Sequence, residues 1–102
     1  MATYNINMDQ DHNGETILRI SFGESADNDK IVRDAIKRLD ELEISGGKIV
    51  KINGPASLPV AIAIAHHILH KFSYIGVFDP KLNKYVIVVA HGPEFKAGDM
   101  ID

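Results

Sequence analysis

The chain has 102 residues, of which 45% are hydrophobic and 25% charged, and this composition predicts one globular domain spanning residues 1–102. Eleven Lys and Arg residues against fourteen Asp and Glu residues give a net charge of −3, which argues against a protein that holds long duplexes by neutralising phosphates. The absence of cysteine excludes disulfides, thiolate metal sites and cysteine nucleophiles. Neither a signal segment nor an apolar run of roughly 20 residues is present, so we expect a cytoplasmic protein without a membrane span.

Apolar and polar residues alternate in two stretches near the start of the chain, over residues 4–8 and 18–22. Alternation with a period of two predicts two strands, each with one face in water. The polar segment between them, residues 9–15, contains an Asn-Gly step. We therefore expect an antiparallel hairpin.

The period then changes to that of a helix, from Asp27 to Glu43, with its apolar residues on one face. Asp27 is expected to be the N-cap, and Asp34 is expected to pair with Arg38 one turn later. The Ser-Gly-Gly step at residues 45–47 ends this helix, which we interpret as scaffold.

The second half of the chain predicts a strand, a helix and two more strands. The β-branched run KIVKIN ends at Gly54, and Ser57 is expected to cap a helix that runs to about Lys71. Residues 74–78 and 85–90 read as strands, and the run VIVVA within the latter predicts a central strand covered on both faces. The order ββαβαββ predicts a two-layer α/β sandwich with a parallel β–α–β unit in its second half.

The second helix is apolar around most of its circumference, since residues 60–65 contain no polar side chain. A helix of this kind is buried on more than one side. Because so small a domain has little material to cover the second side, we expect another subunit there and hence a homodimer.

His66 and His70 are four residues apart and therefore share one face of this helix. Two imidazoles at this spacing fit a metal clamp, an acid/base pair or a polar patch on an exposed helix, and the spacing does not choose among them.

Two further features fall at the carboxyl end of the predicted sheet, where ligands bind in open α/β folds. The Gly54–Ser57 loop precedes a helix N-terminus, where free N–H groups attract anionic oxygens, although such loops also serve simply as turns. Asp79 stands before Pro80 at the end of a strand, either as a ligand-binding carboxylate or as the cap of a local turn.

In chain order, the segments NGP (53–55), AH (65–66), VFDPKL (77–82), VVAH (88–91) and AGDMID (97–102), together with His70, resemble the small CRISPR-associated Csx-three proteins of type III systems, also called Crn-three ring nucleases. The resemblance implies a dimeric, manganese (Mn2+)-dependent phosphodiesterase that degrades the second messenger cyclic tetra-adenylate. It also implies a fold distantly related to the CRISPR-associated Rossmann (CARF) domain.

The resemblance assigns the catalytic positions to His70, Asp79, Lys81 and His91. Of these, His70, Asp79 and His91 are the expected metal ligands. Ligand contacts are expected from Gly54, Pro55, Ser57 and His66. The family more often has Arg where this chain has Lys81, and a lysine cannot make a planar two-pronged phosphate contact.

The predicted topology separates these residues. If the last two strands form a hairpin, Asp79 and His91 lie about 20 Å apart in one chain, with His70 on the side of His91. We therefore expect the ligand edge of one dimer to meet the histidine edge of another, in a dimer of dimers or a filament, with the nucleotide between them. The alternatives are a manganese-dependent exoribonuclease that trims adenylates from the 3′ ends of short RNA, and a non-catalytic sensor of the cyclic nucleotide.

Overall fold

A six-stranded mixed sheet and two helices make up residues 2–102, which are the residues that the computed structural model describes. The elements are β1 (Tyr4–Gln10), β2 (Thr16–Phe22), α1 (Asn28–Leu42), β3 (Gly47–Asn53), α2 (Leu58–Ile68), β4 (Phe72–Asp79), β5 (Lys84–Ala90) and β6 (Met100–Ile101). The predicted order ββαβαββ is confirmed, with β6 added after it. Neither helix in this part of the chain is long and apolar enough to cross a membrane.

The strands pair in chain order across the sheet. The β1–β2 hairpin is antiparallel as predicted, and α1 and α2 each connect parallel neighbours, β2 to β3 and β3 to β4. The chain thus contains two parallel β–α–β units where one was predicted. The last three strands are antiparallel. The sheet has a carboxyl end, where β3 and β4 finish, and an amino end, where β4 begins and β5 finishes.

One main core lies between the two helices and the sheet. Its helical side chains recur at intervals of four residues, so each helix presents one apolar stripe to the sheet. The stripes are Ile31, Ala35 and Leu39 of α1 and Val60, Ile64 and Ile68 of α2. The opposite side of the sheet, the open face, has only a small apolar cluster around Ile49, Tyr74 and Ile87.

The predicted pairing of Asp34 with Arg38 is wrong. The Asp34 carboxylate accepts hydrogen bonds from the Thr3 backbone N–H (2.9 Å) and hydroxyl (2.7 Å), which lower the pKa of Asp34. Arg38 Nε donates to the Ile6 carbonyl (2.8 Å) and lies near Glu41 (3.7 Å). Both side chains therefore hold α1 against the edge strand, Arg38 through β1 itself and Asp34 through the residue before it. The second helix also ends earlier than predicted, at Ile68.

The prediction that VIVVA forms a central, fully covered strand is also wrong for the single chain. This run belongs to β5, which has only the two-residue β6 outside it, and Val88 is half exposed. A helix about 10 Å wide covers about two strands spaced 4.8 Å apart, so two helices leave β5 uncovered. Next to it, Leu58 (75% exposed) and Ile62 (60%) project from α2, and Val77 from β4 is partly exposed. We call Leu58, Ile62, Val77 and Val88 the α2 patch.

Candidate functional site

The loop from Gly54 to Ser57 is held from two sides at the carboxyl end of the sheet. Gly54 has a φ of 138°, and a Cβ there would lie 1.8 Å from the Ile20 carbonyl oxygen, so only glycine fits. Tyr4 donates its hydroxyl proton to the Pro55 carbonyl (2.6 Å), and burial of this side chain raises its pKa to about 12. These contacts within the protein fix the conformation of the loop.

Ser57 is the N-cap of α2, as predicted. Its Oγ accepts from the Val60 N–H (3.5 Å) and lies 2.6 Å from Asn28 Oδ1, so the hydroxyl is already engaged. The N–H groups of Ala56, Ser57 and Leu58 donate no hydrogen bond within residues 2–102. These three donors, at the positive end of a helix dipole, are what the loop offers to an anion.

Asp79 caps the turn that follows β4. Its Oδ1 accepts from the backbone N–H groups of Lys81 (2.9 Å) and Leu82 (3.3 Å), and its carbonyl accepts from Asn83 (2.8 Å). This is the local turn that the Asp-Pro step allowed, and it fixes the carboxylate while leaving Oδ2 without a partner in the described chain. The Lys81 side chain is exposed and forms no ion pair within residues 2–102.

His70 and His91 come together at the opposite, amino end of the sheet. Their ring centroids are 5.9 Å apart and the ring planes are within 15° of parallel. The His91 N–H donates to the Ser73 carbonyl (2.8 Å), which continues the pairing of β5 with β4 beyond Ala90. His66 is exposed one turn earlier in α2. The helix and the hairpin thus create an exposed imidazole pair.

The structure divides the predicted catalytic residues between the two ends of the sheet. β4 and β5 pair Tyr74 with Ala90 at one end and Asp79 with Lys84 at the other, and these positions are five residues, or about 17 Å, apart. The topology predicted this separation. Within residues 2–102, no group of three or more His, Asp or Glu side chains could hold a metal ion. The expected manganese ligands therefore do not form a site within one chain.

Sequence reasoning missed a buried ionic cluster on the open face. Lys51 is 2% exposed, and its ammonium contacts Asp11 (2.6 Å) and Glu15 (3.0 Å) from the β1–β2 turn. It also lies 5.3 Å from the centre of the Tyr85 ring. The hydrogen bond from Lys51 is the main reason that the pKa of Asp11 is lowered to about 2. No motif marks this cluster, because the turn must first fold over the sheet.

Comparison with known proteins gives one positive result. A family model described as a CRISPR-associated protein, Cas_csx3, matches residues 24–102. The matched span runs from the segment before α1 to β6 and contains every site residue described above except Tyr4 and the Lys51 cluster's two carboxylates. No curated protein and no solved structure matches the chain.

Proposed function

Because this chain belongs to the Csx3 (Csx-three) family of CRISPR-associated proteins, we propose that it is a ring nuclease that binds and cleaves cyclic tetra-adenylate in type III CRISPR defence. The observation that carries the proposal is the placement of an anion-binding loop and Asp79 at one end of the sheet and an imidazole pair at the other. A ligand held between two copies contacts both ends at once. The proposal includes a cytoplasmic location and a distant relationship to the CARF domain.

The carboxyl end supplies the binding half of the composite site. The free N–H groups of residues 56–58 and the α2 dipole attract a phosphate oxygen, and the Lys81 ammonium adds a mobile positive charge. Because the chain as a whole carries a net charge of −3, the attraction for a phosphate is confined to this loop and Lys81. Asp79, fixed by its turn, keeps one carboxylate oxygen for a ribose hydroxyl or a water.

The amino end supplies the proton-transfer half. In the proposed reaction a ribose 2′-oxygen attacks the adjacent phosphorus, the 2′-O–P bond forms, and the bond from phosphorus to the 5′-oxygen breaks. One imidazole of the His70–His91 pair accepts the 2′-hydroxyl proton, and the departing 5′-oxygen takes up a proton from water. The product is a linear adenylate with a 2′,3′-cyclic phosphate. Lys81 stabilises the charge that builds on the phosphoryl oxygens.

The α2 patch supports a homodimer. Its four side chains are apolar, and two of them, Val77 and Val88, line a cleft of about 100 Å3 together with Ala61 and Ala65. Exposed apolar surface of this kind is typical of protein interfaces. In the proposed assembly one copy of the patch covers the other, and the dimers then stack through their two ends on the nucleotide, as a dimer of dimers or a filament.

The direct test is incubation of the purified protein with cyclic tetra-adenylate, with Mn2+ or with a chelator, followed by mass analysis of the products. No step above depends on manganese, so this comparison tests the cofactor separately. We expect linear products at a rate per chain that rises with protein concentration. His70→Ala should abolish cleavage, whereas His12→Ala, in the exposed hairpin turn, should cleave like the wild type.

Three outcomes would contradict the proposal. No cleavage in either condition removes the enzyme. Tight binding without cleavage, unchanged in His70→Ala and Asp79→Ala, indicates a sensor. Faster cleavage of a linear RNA with an oligo(A) tail than of the ring indicates an exoribonuclease.

A further inference from the structure

A row of side chains crosses the open face immediately beside the carboxyl-end loops. Asn7 pairs in register with Arg19, Arg19 with Asn53, and Phe78 with Tyr85. Register partners point to the same face of a sheet. Asn53 Nδ2 donates to the Tyr85 hydroxyl (3.0 Å), which joins the two halves. We call these five residues the open-face row; it ends one residue before Gly54 and one residue before Asp79.

The stability of the fold does not account for the asparagines in this row. Asparagine is depleted in strands, and water-facing positions are better filled by polar residues with higher strand propensity. Asn7 is exposed and its side chain has no hydrogen-bond partner in the described chain, and Asn53 is half-buried. A third asparagine, Asn5, lies on the same face and contacts Ser21 (3.4 Å).

The chemistry of the row matches that of an adenine nucleotide. An asparagine amide donates to N7 of adenine and accepts from its N6 amino group. Asn53 uses one N–H on Tyr85, which leaves its second N–H and Oδ1 for this pairing. Phe78 is half-buried beside Tyr85, with ring centroids 5.3 Å apart, and offers a surface on which a base can stack. Arg19 is the only charge in the row, and the one ion pair that it forms within residues 2–102, with Asp9, is long at 3.7 Å.

We propose that the open-face row is the base-reading surface of the site and that it selects adenine over other bases. This inference rests on the proposed function, since the ligand must be an adenylate held at the carboxyl-end loops. The Asn amides read the adenine edge, Phe78 stacks on a base, and Arg19 faces a phosphate. The row thus lies where bases extending from a ring bound at Gly54 and Asp79 would fall.

The test compares binding of cyclic tetra-adenylate with that of cyclic tetra-inosinate, which keeps the sugar, the phosphate and N7 but has an oxygen in place of the N6 amino group. We expect the wild type to bind the adenylate about tenfold more tightly, the effect of one good bidentate pair. Asn7→Ala and Asn53→Ala should each reduce this preference, because adenylate loses both bonds of a bidentate pair whereas inosinate loses at most the bond to N7. Asn13→Ala, in the hairpin turn, is the matched control and should bind like the wild type.

Thermal unfolding identifies any variant that fails to fold, and Asn7→Ala removes no hydrogen bond present in residues 2–102. A wild type that binds both rings equally would overturn the role of the row, as would an adenylate preference that is undiminished in both variants; in either case the proposed function stands. A wild type that binds neither ring would overturn the proposed function itself.

Discussion

Replacing Lys51 by Met should remove the ion pairs that hold the β1–β2 turn on the open face. Methionine keeps most of the apolar stem but removes the ammonium that Asp11 (9% exposed) and Glu15 contact. A pKa of Asp11 lowered from 3.8 to about 2 corresponds to about 2 kcal/mol of stability at neutral pH. Part of this stabilisation remains in the variant, because the backbone N–H groups of Asn13 and Glu15 still bond Asp11. With the partly exposed Glu15 also left without its partner, we expect the free energy of unfolding to fall by about 1–2 kcal/mol.

The lowered pKa of Asp11 also predicts how this stabilisation changes with pH. Because the pKa of Asp11 is lower in the folded than in the unfolded state, the folded state binds fewer protons between these values. The stabilisation is therefore present above about pH 4 and is lost as the pH falls to about 2. In Lys51→Met this loss should be smaller, although the backbone N–H groups of Asn13 and Glu15 still bond the carboxylate.

Urea unfolding at pH 7 and pH 3 measures both effects. Lys48→Met is the matched control, since it removes an exposed lysine paired with Glu94, and it should change stability by about 0.5 kcal/mol or less. The reasoning is refuted if Lys51→Met costs no more than Lys48→Met at pH 7, or if the variant loses as much stability as the wild type between pH 7 and pH 3.

Two further predictions concern the loop and the α2 patch. Gly54→Ala should lower the melting temperature by about 4 °C or more, because the new Cβ would collide with the Ile20 carbonyl. Gly14→Ala is the control, since Gly14 also has a positive φ but a Cβ there would meet no atom within 4 Å, and it should lower the melting temperature less. Equal losses in the two variants would contradict the clash at Gly54. Ile62→Asp should yield a monomer in sedimentation analysis with nearly unchanged melting of the protomer, and an intact dimer would show that the α2 patch is not the interface.

The order of the elements was predictable because it depends on local periodicity. Alternation marked β1 and β2, and the apolar stripe marked α1. β6 was missed, since two residues carry no period. The apolar run in β5 predicts a central strand, but an apolar run does not show which element covers it. In the structure β5 lies beside the edge of the sheet.

The pairing of particular side chains was less predictable. Helical spacing placed Asp34 next to Arg38, but Thr3, just before β1, binds Asp34, and the Ile6 carbonyl of β1 binds Arg38. The approach of His70 to His91 did follow from the sequence, because a helix that leads into β4 and a hairpin that returns beside it must meet at one end of the sheet. The burial of Lys51 did not, because it depends on how far the β1–β2 turn bends.

Mixing two inactive variants tests the central claim most directly. If the imidazole pair of one molecule acts on the nucleotide held by another, His70→Ala and Asp79→Ala should each be inactive alone. In an equal mixture, about one quarter of the randomly assembled sites combine an intact histidine end with an intact Asp79 end, so about one quarter of the wild-type cleavage rate should return. A mixture that stays inactive, although both variants bind cyclic tetra-adenylate and associate normally, would contradict a site shared between molecules.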